Sequence, residues 1–144
     1  MTKEEIVAKA REMARAELPF MFATVDEAGA PQARWMGALV LDEPFTVYME
    51  SHTQARKMGQ IRTNPRGQLV FHTPDFMQVA TVSGVCEVCE DAAVYRRIWE
   101  AIPELANYVS GPDDPGFGAV KFTGQVIELL LMSPLPPTTE RAEL

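Results

Sequence analysis

Ser51-His52-Thr53-Gln54-Ala55-Arg56-Lys57-Met58-Gly59-Gln60-Ile61-Arg62-Thr63-Asn64-Pro65-Arg66 reads as a short basic helix set into an acidic protein. The chain has a formal net charge of -7, yet no Asp or Glu falls between Ser51 and Pro74, while Arg56, Lys57, Arg62 and Arg66 do. Ser51 or Thr53 is a predicted cap, because a side-chain oxygen there accepts an orphan backbone N–H. Ala55, Met58 and Ile61 form a narrow apolar stripe. Asn64-Pro65 ends the helix, since the residue before a proline is pushed out of the helical region.

Arg56 and Lys57 fall in the first turn, where the helix dipole is already positive and carboxylates are preferred. An anion bound between them would reverse that cost, because the free N–H groups of a helix start favour anions. The stretch therefore predicts a phosphate site built from Ser51, His52, Arg56 and Lys57. The alternative on spacing alone is a solvated basic face.

Outward from this stretch, the elements alternate in a β-rich pattern. Residues 3–17 are predicted to be a helix, with Thr2 and Glu5 as a capping box and Pro19 as its stop. Phe20 to Val25 and Gln32 to Leu41 read as a hairpin around a turn at Asp26-Glu27-Ala28-Gly29. Arg34, Met36, Ala38 and Val40 share one face of the second strand, and Gly37 leaves a gap where something flat can approach the backbone. Phe45 to Glu50, Gln68 to His72 and Met77 to Val88 follow as strands, the last long enough to need a bend or bulge at Gly84. Asp91 caps a helix running to about Ala101, a Gly- and Pro-rich loop covers Pro103 to Phe117, and Ala119 to Leu131 is a sixth strand.

At 144 residues, 47% hydrophobic and 23% charged, the chain fits one globular domain over residues 1–132, with 133–144 as a loosely attached tail. Six strands without β-α-β alternation predict a mainly β, antiparallel barrel with helical decorations. The acidic charge argues against nucleic acid and anionic membranes as partners. The start lacks a signal-like apolar segment, so a cytoplasmic location is the expectation. Cys86 and Cys89 are spaced C-x-x-C, but residues three apart on a strand face opposite ways, which favours two buried strand residues over a redox or metal pair.

The order Arg34-Trp35-Met36-Gly37, a short strand to Ser51, Arg56-Lys57, Asn64-Pro65-Arg66, then a strand carrying Gly84, resembles the pyridoxamine 5′-phosphate oxidase-like superfamily of FMN-binding split barrels. The resemblance covers about Phe20 to Leu130 and is greatest to the short general-stress-protein-type members. It implies a split-barrel homodimer with FMN at the interface. It also implies that Arg34, Trp35, Met36 and Gly37 lie along the flavin, that Ser51, Arg56 and Lys57, with His52 or Thr53, hold its phosphate, and that Gln78 and Trp99 complete the partner's pocket. Plain core packing is the competing account of Trp99. Ala55 stands where the family usually has a serine, and Leu39 where the true oxidases carry a lysine. The tail holds Arg141 and no histidine, although those oxidases end on an arginine–histidine pair. These departures point away from vitamin B6 phosphates as substrates. The resulting expectation is an FMN-dependent oxidoreductase on some other small molecule. The alternatives are a flavin-binding stress protein without turnover, or a split barrel that takes a deazaflavin or haem.

Overall fold

A computed structural model describes residues 1–144. Helix α1 (Lys3–Arg15) starts on the expected capping box: Thr2 Oγ1 accepts from Glu5 N, and a Glu5 carboxylate oxygen accepts from Thr2 N. Its apolar face, including Ile6, Ala10 and Met13, is buried. Strands β1 (Phe20–Val25) and β2 (Pro31–Met36) form the hairpin. Its turn uses Gly29 at φ 82°, and Asp26 Oδ1 accepts from Ala28 N and Ala30 N. Then come β3 (Val40–Asp42), β4 (Thr46–His52), α2 (Arg56–Thr63), β5 (Arg66–His72), β6 (Gln78–Cys89) and α3 (Ala92–Ala101). A 3-10 turn (Pro103–Asn107), β7 (Phe117–Leu131) and β8 (Thr138–Glu143) complete the chain.

The antiparallel strands run in the order β2-β1-β5-β6-β7-β4-β3. The two ends of that path, β2 and β3, are consecutive in the chain and joined only by Gly37-Ala38-Leu39. Four residue steps reach about 14 Å at most, so the sheet curls until its ends meet. The product is a split barrel. The strand expected over Gln32 to Leu41 is therefore two strands. Met36 pairs with Phe20 of β1 and Val40 with Tyr48 of β4, so the chain must leave one partner to reach the other.

Long β7 is shared. Its start pairs with β4, its end with β8, and its other edge with β6. The β6–β7 register shifts between Ser83 and Gly84, where a side chain on Gly84 would run into the Thr123 carbonyl. The bend predicted at Gly84 is this bulge. Residues 133–144, expected to be loosely attached, instead supply β8, because Ile127 and Leu129 of β7 are inward-facing and need a cover. Ala142 and α1 provide it. The barrel has eight strands rather than six.

Two apolar clusters result. One fills the barrel under α1 and includes Phe22, Val47, Leu69, Phe122 and Cys86. The other lies outside, between α3, the 3-10 turn and the β6–β7 ends, and includes Ile98, Ile102, Phe117 and Cys89. The two cysteines thus serve different cores on opposite faces of one strand, as their spacing predicted, and both are free thiols.

Candidate anion-binding site at the start of α2

β4 extends further than its apolar alternation suggested. Ser51 pairs with Gly118 and His52 with Phe117, so both are strand residues. Neither Ser51 nor Thr53 caps α2. The N-cap is Ala55, whose side chain accepts no hydrogen bond, so no side chain of this chain occupies the first-turn amides. Thr53 is used elsewhere: its N–H donates to the Gly116 carbonyl (3.1 Å) and its hydroxyl to the Pro115 carbonyl (3.0 Å). Asn64 is extended at φ -138°, which ends the helix before Pro65 as predicted.

Arg56 and Lys57 are the first two helical residues. Lys57 folds back and donates from Nζ to Ser51 Oγ at 2.7 Å. Ser51 is 4% exposed. From the barrel's open edge, Arg34 on β2 reaches the same region. It donates to the Phe22 carbonyl (3.1 Å), to Thr24 Oγ1 (2.9 Å) and to Gln60 Oε1 of α2 (3.3 Å), with its guanidinium 5.6 Å from the Phe22 ring centre. Thr24 also donates to Gln60 Oε1. Arg34 thereby ties β1 and β2 to α2.

The electrostatics are those of a cationic site lacking a counterion. Burial lowers the Lys57 ammonium pKa, and the Arg34 charge lowers it further. Burial and the Arg56 charge lower that of Arg34. The chain's ion pairs involve Arg11, Arg62, Arg97, Arg141 and the amino terminus, so Arg34, Arg56 and Lys57 are all without one. Two acids lie within electrostatic reach, neither in an ion pair with the cluster: Glu50, whose carboxyl is pushed up by burial, and Asp26, which is lowered chiefly by the hydrogen bonds of its own turn and also by Arg56. A phosphate would relieve the mutual repulsion and satisfy the free amides at once. The donor set therefore fits a phosphate group.

The other predicted residues are placed as follows. Met36 is half-buried on the Arg34 side of β2, while Trp35 points away and is 59% exposed. A Cβ added at Gly37 would meet nothing within 4 Å, so this chain's own packing does not require the glycine. His52 Nδ1 accepts from Gln54 N (3.0 Å), and its other ring nitrogen faces Gly116 beside the Asp114 loop. Gln78 sits at the β5–β6 hairpin, its N–H donating to Thr73 Oγ1, and Trp99 packs against the outer core. Neither makes a hydrogen bond to the cationic cluster within one chain.

Sequence reading missed Thr24, Gln60 and Glu50. Thr24 carried a signal, being the one polar residue at an inward position of the alternating β1, after Phe20 and Phe22. Gln60 and Glu50 carried none, because their importance comes from what faces them. Beside the cluster lies a cleft of about 840 Å³ that includes Met36, Gly37, Leu39 and Glu50 in its lining. No three His, Cys, Asp or Glu side chains approach closely enough to share a metal ion, and no helix is long and apolar enough to cross a membrane.

The sequence profile of a family described as pyridoxamine 5′-phosphate oxidase matches residues 6–130. No curated protein sequence matches the chain. Among solved structures, the chain is similar to a protein related to general stress protein 26, of the pyridoxinephosphate oxidase family, from Clostridium acetobutylicum. The two are 20% identical, with a TM-score of 0.81 over 98% of this chain and 96% of that one. It is also similar to a pyridoxamine 5′-phosphate oxidase-related, FMN-binding protein from Nostoc punctiforme (13% identity, TM-score 0.73, 100% and 97% covered). A heme-binding protein from Mycobacterium smegmatis shares the fold too (17% identity, TM-score 0.77, 96% and 57% covered).

Proposed function

The chain belongs to the pyridoxamine 5′-phosphate oxidase family, and from that premise we propose that it binds FMN and acts as a flavin-dependent oxidoreductase on a small molecule. The observation that carries this reading is that Arg34, Arg56 and Lys57 lie within electrostatic reach of one another, Lys57 bonded to Ser51, with no carboxylate in a salt bridge to any of them.

In this reading Lys57, Ser51, Arg56 and the first amides of α2 hold the phosphate. Arg34, fixed by Thr24 and Gln60, orients the group from the β2 side. The segment Trp35-Met36-Gly37 lies along the flavin, and the open space over Gly37 admits a flat ring. Bound FMN supplies the hydride or electron transfer, and the protein supplies position and electrostatics. Leu39 stands where a lysine serves the vitamin B6 phosphate oxidases, so a different substrate is proposed.

The dimer is part of the proposal. Trp35, Met21, Val70, Thr81 and Glu128 form one cross-sheet row on the barrel's outward face, with His72, Val79 and Leu130 in the next row. Such a face suits a second copy of the chain, bringing Gln78 and Trp99 of the partner subunit towards the flavin.

An absorption spectrum after FMN addition and desalting tests the cofactor. Retained flavin bands support the proposal. A colourless protein that gains a Soret band on adding haem replaces it with the haem reading. A second reading is flavin binding without turnover, supported by the likeness in fold to a general stress protein. Steady-state oxidation of NADH or NADPH by the FMN-loaded protein separates the two, and no turnover across a panel of acceptors selects the second.

A further inference from the structure

The cleft beside the cationic site has a chemistry of its own. It lies between the C-terminal end of α1, residues 36–41, β4 and residues 101–108. Its volume, about 840 Å³, falls within the roughly 300–1,000 Å³ of small-molecule sites. Because it begins at Met36 and Gly37, it opens on the place proposed for the flavin ring. Its walls are apolar, with Phe20, Leu39, Leu41, Ile102 and Leu105 among them.

The charges in the lining are not balanced. Glu17, Glu50 and Glu104 face a single cation, Arg15. Glu17, Glu104 and Arg15 are exposed at the rim, whereas Glu50 is half-buried in the wall. Its side chain makes no hydrogen bond and no salt bridge, and Lys57 is the charge that acts on it most strongly. A half-buried carboxylate with no protein donor keeps only part of its hydration, and a ligand donor that reaches it restores what burial took away. An anionic ligand would pass two rim carboxylates offset by one arginine and then meet Glu50 in an otherwise apolar wall, with no lysine at Leu39 to receive it.

We infer that this cleft takes the organic substrate as a small ring-bearing amine, with the ring on the apolar walls and the N–H donors on Glu50, and that it rejects carboxylates and phosphate esters. This names the substrate class of the proposed oxidoreductase and rests on that reading for the identity of the cofactor. The cleft and Glu50 belong to the chain with or without flavin.

The test is binding of benzylamine, benzyl alcohol and benzoate to the full chain, measured by ligand-observed saturation-transfer NMR, with and without added FMN. Benzylamine is expected to bind at least about tenfold more tightly than benzoate, a difference of about 1.4 kcal/mol. Glu50→Gln should bring the two within about twofold of each other, the scale of losing one buried charge partner. Leu39→Lys, which leaves Glu50 in place, should move the preference towards benzoate and serves if Glu50→Gln does not fold. Benzoate binding as tightly as benzylamine, an unchanged preference in both variants, or no binding of any of the three overturns the inference. A protein that retains no FMN but still prefers benzylamine refutes the flavin reading and leaves the cleft assignment standing.

Discussion

Lys57 sits where three influences meet: burial, the charge of Arg34 and a short hydrogen bond to Ser51. Burial and Arg34 disfavour its protonated form, and a bound phosphate reverses that. Each charge-assisted hydrogen bond contributes about 1.5–3 kcal/mol. Arg56→Ala with Lys57→Ala should therefore weaken FMN binding by at least about a hundredfold, read by flavin fluorescence titration. Unchanged affinity would remove the phosphate assignment. Glu50 gives a pH signature. Its carboxyl is raised by burial, so the folded state holds the proton more tightly than the unfolded one. Its contribution to stability is then fully present below the ordinary glutamate range and is lost as pH rises through the raised value. Asp42, held below its usual range by hydrogen bonds from Arg97, works in the opposite sense, and its contribution fades as pH falls through the lowered value. Subtracting the Tm–pH curve of Glu50→Gln from that of the unaltered protein should isolate the first effect as a difference that narrows towards acid. Cys86, pushed up to about 12 by burial, and buried Cys89 should resist a thiol reagent until the protein unfolds. Rapid labelling of the native protein would place one of them at the surface.

At the scale of elements, α2 shows how a weakly helical segment comes to be placed. It has eight residues, no side-chain cap and two cations in its first turn. Helices this short are marginal alone, so the burial of Met58 and Ile61 and the Gln60 link to Thr24 and Arg34 must hold it. Gln60→Ala should loosen both ends of that link, lowering stability and FMN affinity together. A loss of stability alone would mean Arg34 keeps its aim without α2. β8 is the other informative element. It closes the exposed edge of β7 from Val126 to Leu131, and α1 packs against it. Truncation after Met132 should uncover Ile127 and Leu129, both 0% exposed. The expected outcome is a lowered Tm and exposed apolar surface, seen as dye binding.

The whole molecule is a strip of sheet whose two ends, β2 and β3, are forced together by a three-residue connection. Closure leaves an outward face spread over β2, β1, β5, β6 and β7. Trp35 at 59% exposed and Val85 and Leu130 at 36% mark it as apolar surface left to water by a single chain. Val70→Glu, at the middle of the Trp35–Met21–Val70–Thr81 row, puts a charge into the proposed dimer contact. Size-exclusion chromatography with light scattering should find twice the 16.0 kDa chain mass for the unaltered protein and a monomer for the variant. A monomer in both cases would refute the shared-interface part of the proposal.

Alternation, turn residues and caps were enough to read α1, the β1–β2 hairpin, the bulge at Gly84, α3 and the barrel class from sequence. Each depends on neighbours within a few residues, or on one face being apolar. The acid-free stretch from Ser51 to Pro74 likewise exposed a cationic site, because a local charge bias survives folding. Which groups meet there was decided by the tertiary structure. Arg34 joins Gln60 across 26 residues and Thr24 across 10. His52 and Ser51 became strand residues because β7 offered them partners. The strand over Gln32 to Leu41 split because its halves pair at opposite ends of the sheet. The tail became β8 because β7 had an open edge. Local pattern states which face a residue turns inward. The groups it then faces depend on strand order and barrel closure, which are set by contacts far apart in the chain.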